Sequence, residues 1–247
     1  MSLFAKNRTI RFSACLTQCI LLFLTSLILQ CTLMLEASGQ SKYENAAMQY
    51  LRQRQFDLAA KCCAKALVDD PKSPIALQVR GSVDFERGEF EQAVKDLQLG
   101  LSNGQDYLQG EGYNILGRSY AELQDFKNSL AAFDAGIKRY PDYAHLHFRR
   151  GMLLGYQKDY KQALAEVDKA IAMGNQSCFW MRERRADLLR QAGQIGRWLK
   201  ELDWLISKEP NIYKYRSDRA QAYKMLGKNG LAAEEMIQAN KLRAEGW

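Results

Sequence analysis

Two histidines, six cysteines and a recurring arginine are the residues of this 247-residue chain whose chemistry could go beyond packing. His145 and His147 stand two apart, a spacing that turns the rings to different faces of a helix, so they do not make the i, i+4 pair that chelates one metal. Cys15, Cys19 and Cys31 lie in an apolar N-terminal stretch. Cys62, Cys63 and Cys178 are odd in number and lack the CxxC spacing, which is neither a disulfide framework nor a zinc site. Cys63 reads instead as a small apolar residue in a helix interface. The acid pair Glu234 and Glu235 reads as a solvated helix face. No phosphate-binding glycine loop, no HExxH and no GxSxG is present. With no nucleophile beside a base, the expectation is a protein that is not an enzyme and uses no cofactor and no metal.

The arginines form a series. Sixteen residues after Arg80, Arg150, Arg185 and Arg219 stand Asp96, Glu166, Glu201 and Glu235. At the two corresponding places without the arginine, Ala46 and Leu116, the residue sixteen on is Cys62 or Ala132. Arginine and acid come and go together, which predicts a partly buried bridge between the two helices of one unit. Such a bridge fixes geometry more than it adds net stability, but removing one partner strands the other charge. The alternative is contact between these arginines and a ligand.

These positions belong to a longer period. Arg80-Gly81, Leu116-Gly117, Arg150-Gly151, Arg185-Ala186 and Arg219-Ala220 recur every 34–36 residues, and Pro71, Pro141 and Pro210 close units at the same phase. Each unit carries apolar residues at three- and four-residue spacing, as in Ala93, Leu97 and Leu101, the signature of amphipathic helices. Small residues at Gly81, Gly117 and Gly151 let paired helices approach closely. A helix pair cannot bury its faces alone, so neighbours must stack. No β pattern occurs, and the fold class expected is all-α.

With Tyr113, Leu116, Gly117, Tyr120, Phe133 and Pro141 in place, the chain resembles the tetratricopeptide repeat family, whose unit of about 34 residues reads Trp-x2-Leu-Gly-x2-Tyr, then Ala-x3-Phe, then Pro. The resemblance covers residues 40–247 as six units: 40–73, 74–109, 110–143, 144–178, 179–212 and 213–247. It implies a right-handed superhelical solenoid of helix-turn-helix units. The fifth unit departs from the pattern, with Ala186 for the glycine and Trp198 where a small residue is expected, which predicts local repacking and a wider angle between its helices. In the sixth, Leu231, Met236 and Ala239 form an apolar side expected to be partly exposed or used in self-association.

The resemblance also implies a function, a module that binds a protein or peptide in the concave groove lined by the first helix of each unit. Mapped onto this chain, the groove residues are Asn114 and Arg118, then His145, Phe148, Arg149, Met152 and Tyr156, then Trp180, Arg184, Asp187 and Arg190, with Lys214 and Lys224 beyond. The first two units offer Glu44, Met48, Leu51, Gln78 and Phe85. Arginine beside aromatic rings suits an acidic segment, because the guanidinium fork pairs with carboxylates and the rings supply apolar area. The alternatives are an ordinary solvated helix face, and a scaffold that self-associates or organises a membrane complex.

The net charge of +7 falls to +5 without the N-terminal 39 residues, a mild bias that does not argue for nucleic acid. From Phe12 to Leu35 there are 24 uncharged residues, preceded by Lys6, Arg8 and Arg11. This stretch reads as a membrane anchor, or as a signal cleaved after Ala37-Ser38-Gly39, with the rest of the chain outside the cytoplasm, in the periplasm of a bacterial host. Asn175-Gln176-Ser177 fits a glycosylation acceptor, relevant only in a eukaryotic secretory host.

Overall fold

The computed structural model describes residues 42–102, 105–174 and 178–246. The leader, Asn175-Gln176-Ser177 and the first three cysteines lie outside the described residues. Among the described residues there are twelve helices and no strand, and no helix is long and apolar enough to cross a membrane. The chain divides into two compact units between Pro71 and Lys72.

The first unit is a single pair, α1 (Lys42–Arg52) and α2 (Phe56–Asp69). Its interface is built from small side chains: Ala47, Ala59, Cys63 and Ala66 are buried. Cys63 packs as an apolar residue, as its helical setting predicts.

The second unit holds five pairs: α3 (Pro74–Glu86) with α4 (Phe90–Gly100), α5 (Glu111–Glu122) with α6 (Phe126–Arg139), α7 (Ala144–Tyr156) with α8 (Tyr160–Met173), α9 (Phe179–Gln191) with α10 (Ile195–Lys208), and α11 (Tyr213–Met225) with α12 (Asn229–Ala244). Each second helix packs on the first helix of the next pair. Among the first helices of these pairs, α3 touches α5 and α5 touches α7. This is an all-α helical-repeat solenoid.

Three devices set the pairs. Asp125 and Asp159 accept from the backbone N–H groups of Asn128 and Gln162, capping α6 and α8, and Ser73 with Pro74 starts α3. The turn inside each pair passes through a left-handed residue: Gly88, Gly193 and Gly227 in three pairs, but Arg54, Gln124 and Lys158 in the others. Finally, a Cβ on Gly117 would lie 2.4 Å from the Phe133 ring, and one on Gly151 2.9 Å from Val167, so these pairs close only over glycine. In the fifth unit the bulky Trp198 is wholly buried, in one core cluster with Ala186, Leu202 and Leu205.

The arginine series pairs as its spacing predicts. Arg80 donates through Nε and Nη2 to Asp96 at 2.5 and 2.9 Å. Arg150 meets Glu166 at 3.4 Å, Arg185 bonds Glu201, and Arg219 donates to Glu235 at 2.6 Å. The structure adds a second acid that the spacing within one unit does not reveal. Arg150, Arg185 and Arg219 also donate to Asp134, Asp168 and Asp203 of the preceding pair, at 2.7, 2.8 and 2.8 Å. Each arginine therefore ties its own pair together and joins it to the one before.

One turn earlier on the helix a further cation meets the same acid. His147 lies 2.7 Å from Glu166, Arg182 3.4 Å from Glu201 and Arg216 3.5 Å from Glu235. Both His147 nitrogens face acceptors, since Nε2 lies 2.9 Å from the Pro141 carbonyl. Burial alone would raise the Glu166 pKa, but the His147 bond and the Lys169 and Arg150 charges hold it below its ordinary value.

The link between the second and third pairs is built differently. Buried Gln78 donates to the Gly100 and Gln105 carbonyls at 2.7 Å each and accepts from the Tyr107 N–H at 2.8 Å. Asp106 then accepts from the N–H groups of Leu108 and Gly110, which positions the start of α5. Gln78, expected to line the groove, is instead wholly buried, because its amide supplies partners to a loop that has no helix of its own.

Candidate partner-binding groove

The helices α5, α7 and α9 present the residues expected to bind. Arg118 lies over the Phe85 ring, its guanidinium carbon 4.3 Å from the centroid. Phe85, assigned to the groove surface, is buried beneath it. Arg149 stands beside Phe148, 5.9 Å from that centroid. Arg184 is exposed and lies 3.8 Å from Asp187. The three arginines come from three successive pairs; burial, then the Arg118 charge, lower the Arg149 pKa, with Arg184 adding to them and Glu111 opposing.

Aromatic rings run alongside. His145 is exposed between Tyr143 at 5.4 Å and Trp180 at 5.8 Å. Trp180 meets Phe148 edge-on at 4.5 Å, and 38% of its surface is open. Phe148 corrects the sequence-based assignment: it is fully buried, in the core with Leu164 and Met181, and supports Trp180 from below. Met152 is likewise half-buried against that core. Tyr156 is exposed beside Phe126 at 5.1 Å. Asn114 is also buried; its Nδ2 donates to Glu111 at 3.0 Å while its Oδ1 has no partner.

Farther along, Asp187 and Arg190 on α9 face Lys214 and Asp218 on α11. Burial and the Asp187 charge raise the Asp218 pKa, with Lys214 and Arg190 opposing. The groove thus passes from a cationic stretch at α5–α9 to one of mixed charge at α9–α11.

The tetratricopeptide repeat model matches residues 44–107 and 116–177, just over half of the chain. The chain belongs to the tetratricopeptide repeat family. Solved structures agree in fold. The C-terminal part of a tetratricopeptide repeat-containing protein from Cytophaga hutchinsonii superposes with a TM-score of 0.70 at 15% identity, covering 82% of this chain and 80% of that one. A tetratricopeptide repeat protein from Parabacteroides merdae gives 0.61 at 20% identity, covering 81% and 79%. MamA MSR-1 gives 0.60 at 19% identity, covering 70% of this chain and 98% of that one.

Within the tetratricopeptide groove, two residues escaped the sequence reading. Glu111 accepts from the Tyr143 hydroxyl at 2.6 Å, and Glu183 from the Tyr215 hydroxyl. In both cases the tyrosine stands 32 residues after the acid, a spacing visible in the sequence but unlike the sixteen-residue one. Burial and the adjoining carboxylate raise both tyrosine pKa values, so the hydroxyls act as fixed donors. Glu111 is thereby held by Tyr143 and Asn114, while no carboxylate lies within ion-pair reach of Arg118 or Arg149 among the described residues. The tetratricopeptide fold makes this a protein-interaction or scaffold module.

Proposed function

We propose that the chain is a non-catalytic adaptor that holds an acidic segment of a partner protein along α5, α7 and α9. The observation that carries this reading is the placement of Arg118 over Phe85 and of Arg149 beside Phe148, next to the Trp180 and His145 rings, with no carboxylate within ion-pair reach of either arginine among the described residues. Cations opposed by few acids attract a negative segment, and a half-open tryptophan supplies the apolar anchor that binding surfaces favour. The test is crosslinked capture from intact membranes of the native host, with the full chain and with Arg118→Ala, Arg149→Met and Arg184→Ala combined. The variant keeps its helicity by circular dichroism and loses the partner. Unchanged capture moves the binding site off the groove.

The same reading carries the repeats outside the cytoplasm, supported by the uncharged Phe12–Leu35 stretch behind Lys6, Arg8 and Arg11. N-terminal sequencing of protein from its own host separates the two routes. A start at Gln40 means a removed signal, an intact leader means an anchor, and a wholly cytosolic soluble pool overturns both.

A self-associating scaffold is the second reading. It is favoured by the open apolar side chains of the last pair, Met225, Leu226, Leu231, Met236 and Ile237. Ala239, counted with them in the sequence, is buried between the helices. Mass that grows with concentration in sedimentation equilibrium supports this reading; constant mass removes it.

A further inference from the structure

Trp204 breaks the repeat. The places three residues after Cys62, Asp96, Ala132, Glu166 and Glu235 hold Lys65, Leu99, Ala135, Lys169 and Gln238, and all five side chains are exposed. The same place after Glu201 holds Trp204, which is half-buried. Stacking of the pairs requires no large ring at a position that faces solvent in every other unit. Trp204 is instead turned onto α9. The Arg182 guanidinium carbon lies over its ring, 4.2 Å from the centroid, and the Phe179 ring stands 6.0 Å away. Phe179 is steadied in turn by Tyr215, edge-on at 6.2 Å.

Phe179, Arg182 and Trp204 border a cavity of about 510 Å³ where the end of α8, the start of α9 and the end of α10 meet, a volume typical of small-molecule sites. Ile171, Phe179 and Trp204 supply its apolar wall and pack against the core. Its charged groups are not all spent on one another. Glu201 bonds Arg185, and Arg182 reaches Glu201 at 3.4 Å. Lys208 and Glu209, exposed neighbours on the cavity lining, have no ion-pair partner among the described residues, not even each other. The lining therefore combines aromatic walls with one available cation and one available anion on adjacent residues. Arg182 lies two residues from both Trp180 and Arg184, a spacing that turns it to another face of α9, so this cavity is separate from the groove.

We propose that the cavity binds a free aromatic amino acid, its ring against Trp204 and Phe179, its carboxylate toward Lys208 and its ammonium toward Glu209. An aromatic ring gains from tilted contacts with other rings as well as from burial. A zwitterion carries both charges on one carbon, which suits a cation and an anion on adjacent residues. A simple carboxylate would leave Glu209 opposing it, and a simple amine would face Lys208 and Arg182 unscreened.

The test titrates the full chain with L-phenylalanine, 3-phenylpropionate, 2-phenylethylamine and L-alanine at neutral pH and fixed ionic strength. Calorimetry reads affinity. Alkylation of Cys178, which lines the cavity, reads location, with Cys62 on α2 as the reference resolved by mass spectrometry. L-Phenylalanine should bind saturably and slow the alkylation of Cys178 but not of Cys62. The acid and the amine should each bind more weakly by about fivefold, the worth of one partly open charge pair, and L-alanine should not compete. Lys208→Gln should weaken L-phenylalanine and the acid by about fivefold but not the amine, and Glu209→Gln should weaken L-phenylalanine and the amine but not the acid. Both side chains are exposed, so helicity should stay unchanged. Trp204→Leu should weaken all three aromatic probes. Equal binding of the four probes, a variant whose effect ignores the charge of the ligand, or no saturable binding overturns the inference. Saturable binding that leaves Cys178 unprotected overturns it too, because the ligand then sits elsewhere.

Discussion

Arg219 donates through Nη1 to Asp203, a residue of the preceding helix pair, at 2.8 Å, while Nη2 serves Glu235 of its own pair at 2.6 Å. Arg185 repeats the arrangement with Asp168 and Glu201, and Arg150 with Asp134 and Glu166. The within-pair acids Glu166 and Glu201 are buried and Glu235 is half-buried, while the cross-pair acids are open: the Glu201 side chain is 6% exposed and that of Asp203 58%. The two halves of each bridge therefore differ in energy. Arg185→Met strands the Glu201 charge and lowers stability by about 3 kcal/mol. Asp203→Asn removes an open partner and costs less than about 1 kcal/mol. Arg185→Met combined with Glu201→Leu recovers most of the loss. Urea unfolding followed by circular dichroism measures all three.

Gly117 and Gly196 separate close approach from mere helix content. A Cβ on Gly117 lands on the Phe133 ring, so Gly117→Ala pushes α5 off α6 and costs about 1–3 kcal/mol. Gly196 has open space around it in α10, and Gly196→Ala stabilises by up to about 1 kcal/mol through the unfolded chain. Thermal melts of the two variants should move in opposite directions.

The left-handed turn residues make a second contrast. Lys158 holds φ 67° where Gly193 and Gly227 do so without a side chain. Lys158→Gly relieves that strain and raises stability by up to about 1 kcal/mol, while Gly193→Ala lowers it by about 1 kcal/mol. Denaturation midpoints read both, and a destabilised Lys158→Gly would show that the turn carries no strain.

Asp84 imposes an unusual pH dependence. It is buried, its Oδ2 has no partner, and desolvation together with the Asp96 and Glu89 charges raises its pKa to about 6. The unfolded chain releases this proton near its ordinary value of 3.8, so between the two values the folded state holds more protons. Linkage then makes stability fall as pH rises through this window and stay lower above it. Glu166, held below its ordinary value, acts oppositely, stabilising at neutral pH and losing that contribution in acid. Asp84→Asn mimics the protonated side chain. It should stabilise by about 1–2 kcal/mol at pH 7 and much less near pH 4. Unfolding curves across pH 4–8 test this, and equal gains at both ends would refute it.

The repeat phase made the helices legible. Glycine at 81, 117 and 151 marked where pairs close, and the sixteen-residue spacing marked half of each ionic bridge. Asp134, Asp168 and Asp203 were not legible, because their reach to the next pair depends on how one pair is rotated on another. Phe148, Gln78 and Asn114 were read as surface for a related reason. A family register says which way a Cα faces, not whether a neighbouring ring or loop covers the side chain.

The cross-pair bonds have a consequence for how the chain can lengthen. Residues 179–212 carry Arg185 toward the pair before and Asp203 toward the pair after. Arg219 stands one 34-residue period beyond Arg185. A tandem duplication of this block would bring the duplicate's arginine to the first copy's Asp203 in the register that Arg219 now occupies, with both ends already matched. An insertion far from this period would shift arginine against acid and leave the open Asp203 carboxylate without its partner. Growth by whole periods is thus favoured by the charge register.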